Sequence, residues 1–226
     1  MKIITTTQRI AAMVVLSGGL VLGSGESMAA LQPNGSLDFF TDFGGTSGNN
    51  SSATINDGSL SATFSGHIGV RPDGPLYFQD ARSFWVEEDN VDGSVSLSQG
   101  ATLVQFVARD RLLSATDPNG VIQFLDTSSQ AINVDVEVYD ALTGLLLAGD
   151  SNHGTNKNQI GLSNDWVRYV VKAAGPSTFI GGLSLTNDDS VGRSAIDDFG
   201  FNVPEPTSIA VMGMGLMFGL RPRRRG

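Results

Sequence analysis

The side chains able to do chemistry are few, and most are acidic. His67 and His153 each lie next to a glycine. Neither belongs to a G-x-S-x-G elbow, an H-E-x-x-H zinc motif or a phosphate-binding loop. Both are read as surface-loop residues. Paired carboxylates could hydrolyse a glycoside if held at the right separation. Glu87-Glu88-Asp89 and Asp188-Asp189 offer the residue types. On a strand, however, Glu87 and Glu88 point to opposite faces, so solvated acidic loops are the plainer reading. Calcium takes carboxylate and carbonyl oxygens, often from loops. Asp38 and Asp42 near the start of the body could meet Asp197 and Asp198 near its end, because domain termini often lie close together. Glu87, Glu88, Asp89 and Asp92 form a second acidic group without the spacing of an EF-hand loop. A sugar-binding face would need exposed aromatic rings beside polar groups. Tyr77, Trp85, Tyr139 and Trp166 are available, with Tyr139 and Trp166 the preferred glycan candidates.

Composition narrows the field. The chain has 226 residues and no cysteine. Disulfides, thiol nucleophiles, Cys-ligated zinc and iron–sulfur clusters are therefore excluded. The two ends hold six of the 14 basic residues, so residues 30–203 carry eight basic against 21 acidic side chains, a net charge of −13. Such a body is a poor partner for nucleic acid, which needs a basic surface. Charged residues are only 16% of the chain, with Ser, Thr, Asn and Gly filling polar positions. That mix favours turns and short strands over helices held by charge pairs.

The two ends read as addresses. Lys2 and Arg9 precede an apolar stretch from Ile10 to Leu22, and Ser27-Met28-Ala29 supplies small residues at a cleavage site. Residues 1–29 are thus expected to be a signal helix, cut between Ala29 and Ala30 by signal peptidase after the secretory translocon engages it. At the other end, Pro204-Glu205-Pro206 is followed by an uncharged stretch, Ser208 to Leu220, and by Arg221, Arg223, Arg224 and Arg225. The prolines break both helix and sheet, so they separate body from tail. The arginines would stop transfer on the cytoplasmic side. Twelve apolar residues from Ile209 to Leu220 span about 18 Å as a helix, short of a bilayer core of about 30 Å. A temporary tether fits that length better than a permanent anchor.

In this order, proline motif, apolar segment and arginine cluster resemble the PEP-CTERM sorting signal. The resemblance covers residues 204–226. It implies export by the general secretory route, recognition and cleavage near Pro204-Glu205-Pro206 by the membrane protease exosortase, and association with exopolysaccharide or biofilm matrix.

The body, residues 30–203, is expected to be one domain. Val134, Val136 and Val138 alternate with Asp135, Glu137 and Tyr139, the period-two pattern of a half-buried strand. Asp140 to Gly144 then reads as a turn into a returning strand, Leu145 to Ala148. Leu103 to Ala108 and Val121 to Leu125 suit central strands, Leu37 to Phe43 a first strand and Phe199 to Val203 a last one. Thr46 to Gly58 reads as a loop, and Arg109 to Ser114 as a helical turn. Nine or ten short strands of this kind predict an all-β fold, an antiparallel β-sandwich or jelly roll, flanked by the signal helix and a short C-terminal apolar helix. Trp166 to Val171, Phe179 to Leu185 and Ala195-Ile196-Asp197-Asp198-Phe199 resemble the closing strands of jelly-roll domains found in PEP-CTERM proteins, which are similar in outline to carbohydrate-binding modules. That likeness implies a structural calcium between first and last strands. The sequence therefore points to a non-enzymatic envelope or matrix protein. A calcium-dependent carbohydrate-binding module and a secreted glycan hydrolase are the alternatives.

Overall fold

The computed structural model describes residues 37–43, 50–69, 82–86, 92–112, 120–175, 177–187 and 192–204. The signal segment and its cleavage site, Glu205, Pro206, the apolar tail and the arginine cluster lie outside them, as do Glu87 to Asp89 and Asp188-Asp189.

Among the described residues there are thirteen strands and no helix. They are β1 (Phe39–Thr41), β2 (Asn50–Asp57), β3 (Leu60–Gly69), β4 (Ser83–Val86), β5 (Gly93–Ala101), β6 (Leu103–Leu112) and β7 (Gly120–Asp126). Then come β8 (Val134–Asp140), β9 (Gly154–Lys157), β10 (Gln159–Gly161), β11 (Val167–Ala173), β12 (Ile180–Asn187) and β13 (Gly192–Asn202). Every pairing is antiparallel. The strand order is β10-β7-β12-β5-β3-β4-β13-β6-β11-β8-β9, with β2 beside β3 and β1 beside β13. The path folds into two facing sheets. The short β4 joins them on one side by pairing with both β3 and β13. On the other side only Asn158 separates β9, at the edge of one sheet, from β10, at the edge of the other. The all-β sandwich read from the sequence is the observed fold.

Phenylalanine fills the space between the sheets. Phe39, Phe43, Phe64, Phe84, Phe106, Phe124, Phe199 and Phe201 are all fully buried. Phe64 of β3 meets Phe199 of β13 edge-on, with ring centroids 5.4 Å apart. It also meets Phe43 at 4.9 Å and Phe84 at 5.4 Å. Offset and edge-on ring pairs of this kind gain energy beyond their buried area. Val134, Val136 and Val138 enter the same core from β8, as their alternation predicts.

Three local expectations fail for identifiable reasons. First, Asn50 to Asp57 is a strand, not a loop. Its Ala53 and Ile55 pack on the core between polar neighbours. A two-residue turn joins it to β3, where Gly58 adopts φ 58°, a left-handed conformation suited to such turns. Second, Arg109 to Leu112 continues β6 instead of forming a helical turn, because Arg109 and Arg111 pair with Ala195 and Arg193 of β13. Third, Leu145 to Ala148 does turn back antiparallel on β8, with the Asp140 amide donating to the Leu145 carbonyl and the Leu147 amide to the Val138 carbonyl around the Leu146–Tyr139 bridge, but it is too short for a strand, and β9 takes the rest of that edge of β8. Leu142, Leu145 and Leu146 are left 75%, 67% and 50% exposed. Asp140 organises this loop. Its Oδ1 accepts the Leu142 and Thr143 amides and the Thr143 hydroxyl. The hydrogen bonds from Thr143, the side-chain one foremost, hold its carboxyl below the ordinary carboxylate range.

Candidate functional site

The junction between body and tail is sharply built. β1 and β13 pair with Phe39 opposite Phe201. The Asp38 amide donates to Asn202 Oδ1 at 2.9 Å, and Asp38 Oδ2 accepts the Val203 amide at 2.8 Å. The Thr102 amide donates to the Asn202 carbonyl at 2.9 Å. The last strand is thus clamped from both sides up to Val203, one residue before Pro204. Pro204 itself is half-buried, and Glu205 and Pro206 follow at once. A protease acting near these prolines meets a segment whose upstream side is fixed.

The sequence-selected aspartates do come to neighbouring strands, but they do not form a metal cluster. Among the described residues no three His, Asp or Glu side chains are grouped to hold a metal ion. Asp38 caps Val203, as above. Asp198 forms an ion pair with Arg168, Oδ2 to Nη2 2.8 Å, with side-chain exposures of 16% and 12%. Asp197 is buried, and its Oδ1 accepts the Asp198 amide at 2.9 Å. Asp42 is exposed beyond the end of β1. These roles are structural: Asp198 sits in a bulge of β13 between Asp197 and Gly200, at φ 47°. Asp tolerates that left-handed conformation, and the bulge re-aims its carboxylate at Arg168 on β11.

The outer face of the sheet containing β6, β11 and β13 carries the aromatic candidates. Backbone pairing sets His67 opposite Trp85, Trp85 opposite Ala195 and Ala195 opposite Arg109. Trp166, just before β11, packs half-buried against Trp85 and Ala195. One strand over, Tyr139 lies opposite Arg168, and its hydroxyl donates to Glu137 Oε2 at 2.7 Å. Tyr139 and Trp166 therefore share a face, but both are half-buried and neither is an open stacking platform. Trp166 lies in the sheet interior, since β11 has β6 on one side and β8 on the other. Trp85 is 2% exposed, with its ring 5.7 Å from His67 and nearly parallel to it. His67 is thus a strand residue, not a loop residue. His153 lies in the connection before β9.

One functional-looking group was not singled out by sequence. Asp110 is fully buried; its Oδ2 accepts the Gly120 amide at 2.8 Å and its Oδ1 the Ser194 hydroxyl at 3.1 Å. It ties β6 to β7 and β13. A buried carboxylate held by such donors is a structural fastener, and nothing in the spacing of residues 110, 120 and 194 could have announced it.

The Arg168–Asp198 pair yields a direct expectation. Arg168→Met leaves the Asp198 carboxylate largely desolvated without its cation. It should lower unfolding free energy by about 2–3 kcal/mol, below the range for a fully buried broken pair because both groups keep some solvent. A double-mutant cycle with Asp198→Asn checks this. A coupling near zero would show that the pair contributes nothing.

No curated protein matches the chain. One solved structure with partial likeness is that of the Clostridium thermocellum N-terminal endo-1,4-β-D-xylanase 10B, its CBM22-1 and GH10 modules complexed with xylohexaose. The identity is 14% and the TM-score 0.31, over 70% of this chain and 27% of that one, too slight a likeness to bear on ligand or mechanism. Residues 202–225 match the PEP-CTERM protein-sorting motif. The match begins on the last residue of β13 and runs through the proline motif, the apolar segment and the arginines. The chain therefore carries, after a body whose described residues form an all-β sandwich, a PEP-CTERM sorting signal, a signal for export to the cell envelope or beyond under exosortase.

Proposed function

We propose that this protein is a non-enzymatic component of the cell envelope or its exopolysaccharide matrix, held briefly at the inner membrane by its tail and then released by exosortase. The observation that carries the reading is the placement of the sorting motif directly on a clamped final strand. The apolar run, at about 18 Å, is short for lasting residence in a bilayer core of about 30 Å. The folded body supplies the mature protein, and its net charge of −13 keeps it soluble in an aqueous exterior. The non-enzymatic part of the reading is supported by the use of described carboxylates as fasteners: Asp38 on Val203, Asp110 on Gly120 and Ser194, and Asp198 on Arg168.

The test is substitution of Pro204, Glu205 and Pro206 together by alanine in the native host. The hydrogen bonds that clamp the last strand end at Val203, so the fold of the body should be kept, with only the packing of the half-buried Pro204 lost. The variant is expected to accumulate at full length in the inner-membrane fraction while the parent is processed. Normal processing of the variant would remove exosortase from the account.

A second reading is a glycan-binding module. It is favoured by Tyr139, Glu137, Arg168 and Trp166 sharing one outer face. Retention on an acidic polysaccharide that disappears with a calcium chelator would support it. Equal behaviour with and without chelator removes the calcium-dependent form.

A further inference from the structure

The two outer faces differ sharply in chemistry. The outer side of the second sheet carries Arg109, Glu137 and Arg168. On the first sheet, the described positions of β2, β3, β5, β12, β7 and β10 that alternate with core-facing residues include no Asp, Glu, Lys or Arg; Asp57 and Asp126 stand only at the ends of β2 and β7. Backbone pairing lines up one unbroken row across all six strands: Ser52, Ser65, Ser94, Ser184, Gln123 and Gln159. Their strand neighbours Ala53, Phe64, Val95, Leu183, Phe124 and Ile160 pack in the core, so the row faces outward. A parallel row begins with Thr54, Thr63 and Ser96, and the two threonine hydroxyls lie 2.9 Å apart. Ser52, Ser65 and Gln159 are exposed, and Ser94, Ser184 and Gln123 half-exposed.

We infer that this face binds a neutral polysaccharide chain laid across the strands. The strands repeat about every 4.8 Å, so the row offers a hydroxyl or amide at that interval over about 24 Å. That interval is close to the length of one pyranose residue in an extended chain. Hydroxyl and amide groups both donate and accept, as sugar hydroxyls do, so each position can answer either polarity. The four serines are short and fixed on a sheet, so they lose little rotamer entropy when they bind, while Gln123 and Gln159 lose more. The charge pattern selects against other ligands. An acidic polymer meets no cation here and is repelled by a body of net charge −13; a cationic one meets no carboxylate on the face. Outward Val121 and Leu125 flank Gln123 and can cover the C–H surface of a sugar ring. The inference deepens the matrix reading, since it requires polysaccharide at the place of delivery.

The experiment is a depletion assay with the purified full chain in mild detergent. The probes are microcrystalline cellulose, starch granules and chitin as neutral polysaccharides, and alginate gel as an acidic one. The expected result is retention on at least one neutral probe and none on alginate, unchanged by chelator or high salt. Ser94→Ala with Ser184→Ala should weaken retention about tenfold, the loss of two modest hydrogen bonds. Gln159→Leu, at an exposed edge strand, gives a second variant that cannot disturb the core, and it should weaken retention as well. Tyr139→Ala should leave retention unchanged. No retention on any neutral probe would overturn the inference. So would loss of retention with Tyr139→Ala instead, or a self-association that the serine and glutamine variants abolish while retention stays the same. Because the assay uses purified chain, its failure leaves the sorting result standing, and a sorting failure leaves this result standing.

Discussion

Phe64→Ala is expected to cost the folded body about 3–5 kcal/mol, the range for removing a large ring from a packed core. Phe64 is fully buried. Its ring contacts Phe43, Phe84 and Phe199 together, and so joins β3 to β4, to the segment after β1 and to β13 in the opposite sheet. Its removal leaves a cavity at the seam where β4 and β13 link the two sheets. The surrounding rings are themselves pinned by strand pairing, so little collapse can offset the loss. Small domains have only about 5–15 kcal/mol in hand, so the variant should be marginal. Urea denaturation of the chain, followed by tryptophan fluorescence from Trp85 and Trp166, measures the change. Phe64→Leu should recover more than half of it. A loss under about 1 kcal/mol for Phe64→Ala would mean that the two sheets are not held together at this seam.

Gly182→Val should also be clearly destabilising, for the opposite reason. Gly182 lies in β12 between β5 and β7, at a shift in register after Ile180. A Cβ built there would lie 2.3 Å from the Val95 carbonyl oxygen and 3.3 Å from its carbon. Both atoms are backbone, held in the sheet, and cannot rotate away. The neighbouring Gly181 is equally crowded, since a Cβ on it would lie 2.4 Å from the Asp126 carbonyl oxygen. Any side chain at 182 must therefore push β12 off β5, and overpacking of this sort costs about 1–3 kcal/mol or more. Gly182→Ala should cost less than Gly182→Val, and Gly58→Ala, with open space around it, should be penalised only for its positive φ. Equal stabilities for the two substitutions at 182 would show that the strands can separate there freely.

How much of this was legible depended on whether one strand or two had to be known. Val134, Val136 and Val138 declared their strand and its buried face, because period-two alternation is a local property. The proximity of the first and last strands was also legible, and Asp38 does lie beside the end of β13. The role of these aspartates was not legible. Asp197-Asp198 reads as a ligand pair until the β13 bulge is seen, and a bulge depends on the register of β6, not on the residues near it. Ser65-Gly66-His67 reads as a surface loop for a similar reason. Gly66 in fact stays in β3 at φ 144°, where a Cβ would lie 2.7 Å from the Phe84 ring. The glycine allows the close approach of the neighbouring strand β4. Trp85 could not be separated from the half-buried Tyr139 and Trp166 by composition; it stacks on His67 and packs with Ala195 and Trp166, contacts that depend on strand pairing. The tail was legible throughout, since a sorting signal is read as a linear sequence and needs no fold.

The most direct test of the central claim is the intact mass of the protein recovered from its native host, with envelope and medium fractions kept apart. The account predicts a chain beginning near Ala30 and ending near Pro204, with the apolar segment and arginines gone. A mass that retains Ser208 to Gly226, found in the membrane fraction, would contradict it: the tail would then be a plain anchor, and exosortase processing would have no part in how this β-sandwich reaches its place.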